Sequence, residues 1–162
     1  MDHPFLLARV VTFGKAIGCH GATVLGRTDL KDYLINFCKP FIYTTGLSPH
    51  SVATIMASHQ SFSPTETNKL YENIQYFKKV VEEYKLAHQF LASTTAIQGL
   101  LVGSNDKTKK LSNSLQELGF AVKPILSPTV SVGTERIRIC LHSFNTKEEI
   151  KELILRISEY LN

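Results

Sequence analysis

Thr12-Phe13-Gly14-Lys15-Ala16-Ile17-Gly18-Cys19-His20-Gly21-Ala22 sets one lysine among three glycines, between apolar runs at 5–11 and 22–25. The pattern predicts a buried strand over 5–11, a tight glycine turn, and a second strand over 22–26. Glycine reaches positive φ and lets the backbone approach a ligand closely. A lysine carried on such a turn can be aimed at one place. Its amine is also the side-chain group that forms a Schiff base with a carbonyl compound. A lone lysine beside glycines is usually a solvated turn residue, so the dipeptide alone favours that reading.

Downstream, Thr28 is the expected cap of a helix over 29–38, with Asp29 favouring its positive end. Leu30, Tyr33, Leu34 and Phe37 give it one apolar face, and Pro40 is expected to end it. Phe41-Ile42-Tyr43-Thr44-Thr45-Gly46 is rich in β-branched and aromatic residues, which predicts an extended stretch. Ser48-Pro49 predicts a helix running to about Gln60. Ser63-Pro64-Thr65-Glu66 has the spacing of a capping box. Leu70, Ile74, Phe77, Val81 and Tyr84 then predict one buried face on a long helix over 65–91.

From Thr94 the elements are shorter. The pattern predicts a strand over 96–102, a helix over 106–118 stopping at Gly119, and a strand over 120–125. Arg136-Ile137-Arg138-Ile139-Cys140-Leu141 alternates, so Ile137, Ile139 and Leu141 face a core and both arginines face away from it. Thr146-Lys147-Glu148-Glu149 is a second capping box. It opens a helix whose buried stripe is Ile150, Leu153, Ile154, Ile157 and Leu161.

With 162 residues, 43% hydrophobic and 20% charged, the chain has the makeup of a globular protein able to bury a core. The net charge of +4 comes from scattered lysines without an aromatic–basic motif, which argues against a nucleic-acid partner. Cys19, Cys38 and Cys140 are far apart, and none has metal-ligand spacing. His20, His50 and His142 likewise lack partners for a metal. Reduced thiols suggest a cytoplasmic protein. Met1-Asp2-His3-Pro4 has no basic region leading into an apolar run, so no leader is expected, and no run is long enough to span a membrane.

Three segments in this order resemble the α-oxoamine synthases, a pyridoxal-phosphate (PLP) family of fold type I. They are the lysine segment, Tyr43-Thr44-Thr45-Gly46-Leu47-Ser48-Pro49, and Pro128-Thr129-Val130-Ser131-Val132-Gly133-Thr134-Glu135-Arg136-Ile137-Arg138. The resemblance runs from about Phe5 to Leu161. It implies an α/β fold, the C-terminal part of a fold type I transferase. A piece of the large PLP-binding domain would span 1–62, a long connecting helix 63–93, and a small α/β domain with a mainly antiparallel sheet 94–162. It implies Lys15 as the Schiff-base lysine and proton carrier, with Thr12, Thr44 and Thr45 at the cofactor phosphate. Arg138 would bind the amino-acid carboxylate, with Arg136 and Thr129 beside it and no metal.

The implied reaction condenses an amino acid with an acyl thioester and releases carbon dioxide. Leu126 and Lys39 stand where members of the family carry arginine. The family's ring-binding aspartate and ring-stacking histidine have no counterpart in 1–162. The alternatives are therefore an inactive fragment or interaction module, or a family relative of the aminoketobutyrate CoA ligase or serine palmitoyltransferase kind. Either way, exposed apolar surface is expected where the rest of the family's sheet packs, which predicts a homodimer or a complementary N-terminal half as partner.

Overall fold

The structure, a computed structural model, describes residues 5–161; the segment 1–4, read above for a leader, lies outside the described residues. The chain forms two compact units, Met1–Phe62 and Ser63–Asn162.

In the first unit, strands β1 (Ala8–Thr12) and β2 (Ala22–Gly26) form an antiparallel hairpin in which Val10 faces Val24 and Thr12 faces Ala22. The second strand is as expected. The first begins later than expected and is not buried, since Phe5 is 89% and Val10 66% exposed. The physical reason is that, among the described residues, these two strands form a two-stranded sheet with no third strand beside them.

Helix α1 (Thr28–Phe37) is capped at Arg27, not Thr28. The Asp29 carboxylate accepts the Leu30 N–H at 2.9 Å and pairs with Arg27 at 3.1 Å. Its apolar face is only partly covered: Leu30 and Leu34 are half-buried, Tyr33 and Phe37 exposed. The helix stops at Cys38. Lys39–Ile42 then form a short helix α2, with Pro40 in its first turn. The extended reading of 41–46 is thus corrected, because proline starts a helical turn as readily as it ends one. Helix α3 (Pro49–Gln60) opens as expected, with Ser48 Oγ accepting the Ser51 N–H at 3.2 Å.

The second unit holds a full core. Helix α4 (Pro64–Glu83) ends earlier than expected, and a 3-10 turn at Ala87–Gln89 follows. Strands β3 (Ile97–Leu101), β4 (Lys123–Ile125) and β5 (Arg136–Cys140) pair antiparallel in the order β3-β5-β4. Strand β4 is shorter than the expected 120–125. Helix α5 (Asn105–Glu117) stops before Gly119, whose φ of 90° only glycine adopts readily. Leu118 lies outside the core, 54% exposed. Helix α6 (Lys147–Leu161) completes the unit.

Ile74, Phe77 and Val81 of α4, Leu111 and Leu115 of α5, and Ile150, Ile154 and Ile157 of α6 are buried together with Leu100, Ile137 and Ile139 of the sheet. The strand alternation thus reads true: Ile137 and Ile139 point into the core, while Arg136 and Arg138 lie on the opposite face. No described helix is long and apolar enough to cross a membrane.

Candidate active site

The lysine turn is a nine-residue loop cross-braced by its own backbone. The Phe13 N–H donates to the Gly21 carbonyl at 2.9 Å and the Cys19 N–H to the Phe13 carbonyl at 2.8 Å. The Gly18 N–H donates to the Lys15 carbonyl at 2.9 Å, which curls 15–18 into a turn. Gly18 and Gly21 have φ of 68° and 110°, so the loop needs glycine at both. At Gly21 a β-carbon would also meet the Leu47 methyls at 3.2 Å. Leu47 thus lies against the end of the lysine loop at Gly21. Phe13 is anchored at 7% exposure, whereas Lys15 is exposed. Among the described residues, Lys15 Nζ and the Thr12, Thr44 and Thr45 hydroxyls have no hydrogen bond or ion pair.

The second group sits on the second unit. Arg136 and Arg138 share the sheet face turned away from the core. Arg136 Nε donates to the Thr134 carbonyl at 2.9 Å, while Arg138 has no partner among the described residues. Both border a cavity of about 310 Å³ that also meets Ser93, Thr95 and Leu91. A larger cavity of about 720 Å³, between Phe120, Leu141, Phe144 and Leu153, contains neither arginine, and Thr129 lines neither cavity. The smaller one therefore has the chemistry for a carboxylate: a planar guanidinium fork with hydroxyls near it. Thr129 is exposed on the turn 126–130. That turn is tied to α5 by Asn105, whose Oδ1 accepts the Ser127 N–H at 2.9 Å.

Lys15, Thr12, Thr44 and Thr45 thus belong to the first unit, and Arg136, Arg138 and Thr129 to the second. Among the described residues, no group of histidine, cysteine, aspartate and glutamate could hold a metal ion.

Sequence reasoning passed over Ser58, Leu47, Asn105 and Lys123. Ser58 Oγ donates to the Ile17 carbonyl at 2.7 Å from α3. Lys123 stands opposite Arg138 on the neighbouring strand. For Lys123 the signal was available, because strand pairing puts directly opposite residues on one face. For Ser58 and Asn105 it was not, because each partner is distant in sequence.

The sequence model of the aminotransferase class I and II family matches residues 1–157. The chain belongs to that family. An 8-amino-7-oxononanoate synthase of Emericella nidulans is 35% identical over 162 residues, which covers 96% of this chain and 39% of that protein. The crystal structure of the 8-amino-7-oxononanoate synthase of Francisella tularensis superposes with a TM-score of 0.80 at 26% identity, covering 96% of this chain and 45% of that one. A high-resolution structure of SPT with PLP reaches a TM-score of 0.80 at 19% identity, covering 96% and 39%, a likeness of fold alone. The fold is thus a portion of a fold type I PLP-dependent transferase. The chain spans 38–39% of the length of the curated relatives it matches.

Proposed function

We propose that the chain is the C-terminal portion of a PLP-dependent acyltransferase of the 8-amino-7-oxononanoate synthase type. That enzyme would condense an amino acid, L-alanine, with a pimeloyl thioester in cytoplasmic biotin synthesis, and release carbon dioxide. Residues 1–62 would be a piece of the large domain, 63–93 the connecting segment and 94–162 the small domain. One observation carries the reading: an unengaged amine, Lys15, on a loop fixed by its own backbone bonds.

The residues present fit PLP. A primary amine and three unengaged hydroxyls make the donor set an aldehyde bearing a phosphate requires. Lys15 is exposed, so its amine is reachable from solvent. When bound, PLP supplies an aldehyde carbon for the amine and a ring that draws electrons from the substrate α-carbon. In this reading Lys15 Nζ would hold the aldehyde carbon and would be the amine that carries a proton at the substrate α-carbon. Thr12, Thr44 and Thr45 would hold the cofactor phosphate through their hydroxyls. Arg138 receives the amino-acid carboxylate through two parallel N–H bonds, with Arg136 and Thr129 flanking it.

The test is the visible absorbance band that PLP gains when a lysine amine captures it. The parent chain should develop the band and Lys15→Ala should not. Identical spectra would sink the reading.

A second reading is favoured by the exposed Phe5, Val10, Val24 and Phe41 of the first unit. In it the chain is an inactive interaction module whose apolar surface binds a second copy or a complementary N-terminal half. A monomer in sedimentation at high concentration, together with no such half captured, would count against it.

A further inference from the structure

The lysine loop is also held from outside itself. Ser58, on α3, donates its hydroxyl to the Ile17 carbonyl at 2.7 Å across 41 residues of sequence. A helical serine or threonine ordinarily donates to the carbonyl four residues back. Thr54 does so in the same helix, to His50 at 2.9 Å. Ser58 donates to the loop instead. The carbonyl it engages lies two residues from Lys15 and next to Gly18, whose N–H closes the 15–18 turn. Among the described residues, the other side-chain donor to that carbonyl is the Cys19 thiol at 3.3 Å, a weak donor. The neighbouring His59 ring meets Phe13 edge-on, with centroids 6.5 Å apart. Helix α3 therefore grips the loop on both sides of Lys15, at Phe13 and at Ile17.

We propose that Ser58 is a positioning residue for Lys15: its hydroxyl fixes the 15–18 turn and so the place and direction from which the amine is offered. The proposal rests on the reading of Lys15 as the cofactor lysine. Without the hydroxyl the turn samples more orientations, and Lys15 loses its advantage in capturing an aldehyde over a lysine on a helix surface such as Lys151.

The full chain is incubated with PLP, reduced with borohydride and mapped by peptide mass spectrometry. Amide hydrogen exchange at Gly18 and Cys19 is read in parallel. The parent should carry label on Lys15 in preference to Lys151. Ser58→Ala should lower that ratio, and speed exchange at both amides, by about fivefold, the worth of one net hydrogen bond. Ser58→Thr, which keeps the hydroxyl, should behave as the parent. A Ser58→Ala chain with the parent's ratio and exchange rates overturns the proposal, as does a Ser58→Thr chain that behaves like Ser58→Ala. If circular dichroism shows Ser58→Ala unfolded, Ser58→Cys, near in size with a weak donor, takes its place under the same criteria. Failure of the cofactor-lysine reading looks different: the parent shows no preference for Lys15, and the exchange rates then decide the role of Ser58 alone.

Discussion

Lys123 on β4 stands directly opposite Arg138 on β5, so two cations leave one face of the sheet side by side. Neither has an ion pair among the described residues. Like charges directly opposite on paired strands destabilise the pair. Lys123→Gln should therefore stabilise the second unit by about 0.5 kcal/mol in urea unfolding at low salt. The gain should shrink at high salt as screening removes the repulsion. A gain that persists there would point to packing instead.

The two capping boxes differ. At α6 the exchange is reciprocal: the Glu149 N–H donates to Thr146 Oγ1 at 3.2 Å and the Thr146 N–H donates to Glu149 Oε2 at 3.0 Å. At α4 the Ser63 side chain makes no capping bond. Thr146→Ala should cost about 1 kcal/mol, the usual worth of such a cap, and Ser63→Ala close to nothing. Thermal unfolding of both variants checks the contrast.

Asn73, buried on α4, donates through Nδ2 to the carbonyls of His142 at 3.0 Å and Asn145 at 2.8 Å. One amide thus secures the chain leaving β5. Asn73→Ala leaves both carbonyls without that donor, for a cost of about 2 kcal/mol. Urea unfolding that shows no loss would mean that water replaces the amide.

The Lys69 ammonium, and after it the Ser143 hydroxyl, hold the Glu66 carboxyl below its ordinary pKa. A carboxylate with a depressed folded-state pKa stabilises the fold above the ordinary carboxylate range and loses that effect as pH falls through the depressed value. Unfolding measured down an acid series should therefore show a steeper loss in the parent than in Glu66→Gln. The site is exposed, so the difference should fade with added salt.

Where a pattern is local, the sequence could be read directly. Ile137 and Ile139 alternate with Arg136 and Arg138, and the strand turned out as expected. The Thr146 box and the α6 stripe likewise needed only neighbours a turn away. The end of α4 did not. Lys85 leaves the helix at φ 58° without a glycine or proline to announce it, and Leu86 beyond it is buried. Packing in the core outweighs the helical tendency of that segment. Glu66 was a good box partner by spacing, but Lys69 and the distant Ser143 engage it. Phe41 and Ile42 have strand propensity, yet a turn begun at Cys38 makes them helical. At the candidate site, Lys15 and the arginines could be named because their motif is contiguous. Ser58 could not, since a serine inside a helix gives no sign of a partner 41 residues away.

Strand β5 lies in the middle of its sheet, and Arg138 is flanked there by Gly99 on one neighbouring strand and Lys123 on the other. The base of that side chain is therefore already immobilised before any ligand arrives. An anion meeting its guanidinium need only still a few torsions of one side chain, not the backbone beneath it, so less freedom is lost on binding and more of the contact energy is kept as affinity.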